Sequence, residues 1–145
     1  MRSPGLLPAL TLACLLATAS AAHAQEGADT LAATLDGSAV VGGGDDNGSG
    51  TAVVWLDVDM TRVCYDLQVD GITEATAAHI HQAPAGQDGP PVITLSAPTG
   101  GASTGCANVD AALIDELRRD PSAFYVNVHN PDFPGGAIRG QLSGM

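Results

Sequence analysis

Alternation of apolar and polar residues in strand-length runs, cut by glycine, proline and Asp/Asn, narrows most sharply what this chain can fold into. From Thr51 to Val58, the side chains of Ala52, Val54, Leu56 and Val58 fall on one face and those of Val53, Trp55 and Asp57 on the other, because a strand turns successive side chains to opposite sides. Asp59-Met60-Thr61 reverses the chain. Arg62 to Val69 then returns with Val63, Tyr65, Leu67 and Val69 on one side and Cys64, Asp66 and Gln68 on the other. A β-hairpin is the expected product. Further strands are expected at Thr30 to Asp36, Ala75 to His81, Pro91 to Ser96, Phe124 to His129 and Ala137 to Leu142. Loops are expected at Gly42 to Gly50, Gln82 to Pro91 and Pro98 to Gly105. A single stretch, Asp110 to Arg119, has helical spacing, with Leu113, Ile114 and Leu117 on one stripe. Asp110 stands where a capping side chain would, and Pro121 follows the end. Many short strands and one short helix predict an all-β protein, a Greek-key β-sandwich of immunoglobulin-like or copper–zinc superoxide dismutase-like type.

The first residues read as an address rather than as fold. Arg2 precedes an apolar run from Leu6 to Ala17, and Ala22-His23-Ala24 is a cleavage box. Residues 1–24 are therefore expected to be a cleaved signal peptide. The run is shorter than the roughly 20 residues of a membrane-spanning helix, and Thr11-Leu12-Ala13 makes Cys14 a poor lipid-attachment site, so no membrane anchor is expected. Residues 25–30 read as a flexible N-terminus and 31–142 as one domain, in a mature protein that is periplasmic or extracellular.

Removing the leader leaves two cysteines, Cys64 and Cys106. In an exported chain such a pair predicts one disulfide. It is worth about 4 kcal/mol by the loop-entropy estimate. No Cys-x-x-Cys spacing suggests redox catalysis. The chain has no lysine, five arginines and sixteen acidic residues, a net charge of −11. A surface of that sign repels nucleic acid and anionic membranes and leaves solubility, or attraction for cations, as its meaning.

Candidate chemistry gathers on histidine. In Ala78-His79-Ile80-His81 the two imidazoles share the face opposite Ile80. In Phe124 to His129, Tyr125, Asn127 and His129 lie opposite Phe124, Val126 and Val128. In the last strand Arg139 and Gln141 lie opposite Ile138 and Leu142. If the aliphatic faces form the core and these strands are neighbours, His79, His81, Tyr125, Asn127, His129 and Arg139, with Gln141, make one polar patch. Three imidazoles can bind zinc or copper, with Asp132 as a conceivable fourth ligand. The same residues can equally form a hydrogen-bonded structural network. No catalytic residue stands out. There is no Gly-x-Ser-x-Gly, no phosphate-binding glycine loop and no distinguishable carboxylate pair.

The ordered words Gly50-Thr51-Ala52-Val53, Val63-Cys64-Tyr65-Asp66-Leu67, Ala77-Ala78-His79-Ile80-His81, Gly89-Pro90-Pro91-Val92, Tyr125-Val126-Asn127-Val128-His129 and Phe133-Pro134-Gly135-Gly136-Ala137-Ile138-Arg139-Gly140-Gln141-Leu142 resemble the chordin-type, or CHRD, domain family in its secreted bacterial single-domain form. Ser38-Ala39-Val40-Val41-Gly42 stands where members of that family often carry a Glu-Val-Pro-Pro word. The resemblance implies an extracellular β-sandwich. In chordin, such domains belong to a protein that binds secreted growth factors. Two functions are therefore expected as alternatives. One is a non-enzymatic binding or structural module for an unidentified protein or small ligand. The other is a periplasmic copper or zinc protein using His79, His81 and His129, with dismutase-type chemistry as its enzymatic extension. The mutual distances of the three imidazoles separate them.

Overall fold

The computed structural model describes residues 29–145; the expected signal peptide and its cleavage site lie outside them. Among the described residues there are nine strands: β1 Thr30–Asp36, β2 Ser49–Asp57, β3 Arg62–Asp70, β4 Ala77–Gln82, β5 Pro91–Leu95, β6 Ala102–Asn108, β7 Phe124–His129, β8 Ile138–Gln141 and β9 Ser143–Gly144. One helix, α1 at Ala111–Arg119, and a 3-10 turn at Pro121–Ala123 lie between β6 and β7. All strand pairs are antiparallel. Their spatial order is β5-β4-β7-β8-β1-β2-β3-β6, with β9 added beside β1. The fold is all-β, as the alternation predicts. Its one sheet curls until its two edge strands approach each other. The gap is bridged where the Ser96 N–H donates to the Tyr65 hydroxyl at 2.7 Å and the Ser103 hydroxyl to the Ser96 carbonyl at 2.8 Å.

Alternation decides what the curled sheet encloses. Leu31, Leu35, Val54, Val63, Leu67, Ile80, Val126, Val128 and Ile138 belong to one buried cluster drawn from both halves of the sheet. At roughly 1.5–3 kcal/mol for each large aliphatic side chain removed from water, this cluster is the main source of stability. Helix α1 adds Ile114 and Leu117 to it, with Leu113 packed at its margin. Asp110 occupies the N-cap position, but its side chain makes no capping hydrogen bond. Its carbonyl accepts the Leu113 and Ile114 N–H groups instead, so packing rather than capping holds the helix.

The expected loop at Pro98 to Gly105 is a correction. Residues 102–108 form β6, paired along β3 from Arg62↔Asn108 to Gln68↔Ala102. Ala-Ser-Thr-Gly-Cys-Ala-Asn carries no large apolar residue with which to display a period of two. The strand is made by pairing with its neighbour, a tertiary effect. Cys64 and Cys106 face each other in that register and are bonded, 42 residues apart in sequence. The disulfide therefore fixes the edge strand β6 to the body of the sheet.

Candidate functional site

Neighbouring strands β4, β7 and β8 bring the polar sides of the histidine-bearing segments together on the outer face of the sheet. Along one row His79 faces Asn127, which faces Arg139. In the next row His81 faces Tyr125, which faces Gln141. His129 pairs with Ala77, two residues before His79, which sets it diagonally beside the His79 ring. One nitrogen from each of His79, His81 and His129 lies within 4.8 Å of the corresponding atoms of the other two. Ring centroids are 5.2 Å apart for His79 and His129, and 5.5 Å for His79 and His81.

Hydrogen bonding fixes the protons. His81 Nδ1 lies 2.8 Å from the Gly89 carbonyl, and His129 Nδ1 lies 2.9 Å from the Pro134 carbonyl. A carbonyl only accepts, so both Nδ1 atoms carry hydrogen, and in neutral rings both Nε2 atoms are bare lone pairs. His79 Nδ1 then donates to His129 Nε2 at 3.3 Å. His81 Nε2 is buried with no hydrogen-bond partner. Burial pushes the His79 imidazole below its ordinary range, and the neighbouring His129 and His81 add to the effect. Burial also lowers His81; the Gly89 hydrogen bond opposes this, while His129 and Arg139 reinforce it. Lowered values keep the rings neutral near pH 7, the state in which imidazole offers a lone pair to a metal.

The remaining polar residues of the face hold two loops. Arg139 is 2% exposed and donates to the carbonyls of Gln87 at 2.8 Å and Pro84 at 3.1 Å. Gln141 Nε2 donates to the Ala83 carbonyl at 2.7 Å. Together they clamp the loop 83–90 that presents Gly89 to His81. The Gly89 N–H donates to the Tyr125 hydroxyl at 3.2 Å. A Cβ on Gly89 would stand 1.9 Å from the Gln82 carbonyl oxygen, so only glycine fits there. On the other side, Asn127 Nδ2 donates to the Gly135 carbonyl at 3.2 Å, steadying the turn that carries Pro134 to His129. Gly136 completes that turn at φ 141°, with the Asn127 amide 2.5 Å from where its Cβ would lie.

The patch therefore separates into three rings with converging nitrogens and four side chains, Tyr125, Asn127, Arg139 and Gln141, that orient loops or rings. Asp132 is not with the histidines; its carboxylate accepts from the Thr73 hydroxyl at 2.8 Å, and the cluster contains no carboxylate. The Gly89 and Pro134 carbonyls, which set the tautomers, carry no signal in the sequence, since any residue offers a carbonyl.

The described residues thus form an antiparallel β-barrel-like domain with a histidine cluster on its outer face. The family model described as the CHRD domain matches residues 31–142, and the chain belongs to that family. Membership supports a non-enzymatic binding or structural role. Neither a curated protein nor a solved structure matches the chain. No helix among the described residues is long and apolar enough to cross a membrane, and the disulfide suits an oxidising, extracytoplasmic compartment.

Proposed function

We propose that this CHRD domain is exported through its N-terminal leader and binds a divalent transition-metal ion, zinc or copper, through His79, His81 and His129. The observation that carries the reading is the convergence of three imidazole nitrogens within 4.8 Å of one another. Two ligands of a tetrahedral zinc, each at 2.0–2.1 Å, stand about 3.3 Å apart. The His79 Nδ1 to His129 Nε2 separation is 3.3 Å. His81 Nε2, buried and unpartnered, is a third lone pair that an ion would satisfy. The backbone carbonyls on His81 and His129 Nδ1 are the outer-layer partners that metal-ligating histidines commonly have. His79 would ligate through Nδ1 after its proton moves to Nε2. A donor set of nitrogen alone suits zinc and Cu(II), with Cu(II) the tighter by the usual ordering of divalent ions. The net charge of −11 raises the local concentration of cations.

The test is titration of the disulfide-bonded protein with zinc and with Cu(II), read by calorimetry and elemental analysis. One ion per chain is expected, lost in His81→Ala. Equal uptake by the wild type and by a variant lacking all three histidines rejects the reading.

A further inference from the structure

We propose that Arg139 is a positioning residue for this site: it fixes the His81 ring by two routes without touching the ion. The inference rests on the metal reading above. A guanidinium that is 2% exposed is costly to desolvate, and its hydrogen bonds must offset that cost. Among the described residues the one carboxylate paired with it, on Asp88, is 3.5 Å away and 71% exposed, so ion pairing does not account for its burial. Its short contacts go to the loop carbonyls of Gln87 and Pro84. The planar fork of arginine spans both, which the single point charge of lysine does not.

The first route runs through that loop. By holding residues 84 and 87, Arg139 holds the segment whose Gly89 carbonyl accepts the His81 Nδ1 proton at 2.8 Å. The second route runs through Tyr125. The guanidinium carbon sits 3.5 Å from the Tyr125 ring centroid. The Tyr125 and His81 rings are stacked with centroids 4.9 Å apart and planes 13° from parallel. Strand β7, which carries Tyr125, runs between β4 and β8, so Tyr125 lies between the strands of His81 and Arg139. One route sets the tautomer of His81 and the other its plane. Both routes bear on the nitrogen that His81 offers to the cluster. The charge of Arg139 by itself repels a divalent ion, so an electrostatic role and a positioning role predict opposite effects of removing it.

The experiment uses the full disulfide-bonded chain in five forms: wild type, Arg139→Lys, Arg139→Gln, Tyr125→Leu and Tyr125→Phe. Zinc affinity is measured by chelator competition, the Cu(II) environment by electron paramagnetic resonance, and the His81 tautomer in the metal-free chain by nitrogen-15 NMR. Both arginine variants and Tyr125→Leu are expected to bind zinc about 10–100-fold more weakly, still one ion per chain, with an altered Cu(II) spectrum; the arginine variants are also expected to show a mixed His81 tautomer. Tyr125→Phe keeps the ring and is expected to restore most of the affinity. Tighter binding by Arg139→Gln, or wild-type affinity in Tyr125→Leu, overturns the proposal. If the arginine variants do not fold, the two tyrosine variants decide it. A wild type that takes up no zinc rejects the metal reading, and the positioning of an ion with it. A uniform His81 tautomer across all five metal-free forms rejects the positioning alone.

Discussion

His79 Nδ1 stands 3.3 Å from His129 Nε2 although 50 residues separate them in sequence. The pairing of β4 with β7 produces the contact, and it is also the spacing two ligands of one tetrahedral ion need. If zinc replaces the shared proton, the folded state gains stability by mass action. At a free zinc concentration one hundred times Kd the gain is about 2.7 kcal/mol. A thermal melt is expected to move up with zinc and return with chelator. His79→Ala/His129→Ala should show no zinc-dependent movement, and a shift in that variant equal to the wild type's would count against the site.

Acid is expected to weaken the metal-free protein through the same rings. His79 and His81 are lowered from 6.5 in the folded chain, so below that value the unfolded chain binds more protons than the folded one. Stability then falls with pH. The contribution is complete above the unfolded value and is lost as pH drops through the folded ones. Urea midpoints measured from about pH 7.5 to about 5.5 should decline, and the decline should shrink in His79→Asn/His81→Asn. A flat profile in the wild type contradicts it.

Adjacent residues of β4 should respond in opposite ways. Ile80 is fully buried in the core cluster, and Ile80→Ala is expected to cost about 2–5 kcal/mol. His79 lies on the outer face, and His79→Ala should cost less than about 1 kcal/mol in the metal-free protein. Denaturant unfolding of the two variants is the measurement; comparable losses would mean the face assignment is wrong.

Reduction should reach the fold through β6. Breaking Cys64–Cys106, which spans 42 residues, is expected to cost about 4 kcal/mol on loop entropy. Hydrogen exchange should show β6 losing protection before β2 and β3, since among the described strands it pairs with β3 alone. Uniform loss of protection across the sheet would indicate that the staple supports the whole domain rather than its edge.

A Cβ at Gly89 would collide with the Gln82 carbonyl at 1.9 Å, so Gly89→Ala must displace the loop. The expected result is weaker zinc binding with one ion still taken up, because His81 loses a Nδ1 partner but keeps its lone pair. Unchanged affinity would show that the Gly89 carbonyl does not matter to the site.

Much of this was legible in the sequence because period two is a strong signal wherever large apolar residues alternate with polar ones. Ile80 between His79 and His81, and Val126 and Val128 flanking Asn127, state their faces without a structure. β6 was illegible because its small residues hide the period. The adjacency of β4, β7 and β8 was illegible because pairing partners are chosen by tertiary packing. The histidines were visible as residues, whereas their tautomers depend on two backbone carbonyls that no side-chain pattern encodes. Arg139 read as a member of a polar patch; its burial under a loop follows from the course of residues 83–90, which the glycines and prolines of that stretch mark only as irregular.

Strand β4 divides its residues between two tasks, Ala78 and Ile80 turned inward and His79 and His81 outward. The outer row can therefore be rewritten while the inner row keeps the barrel folded. A domain built this way can exchange one surface chemistry for another by a few substitutions at alternate positions, so members sharing this fold need not share a ligand.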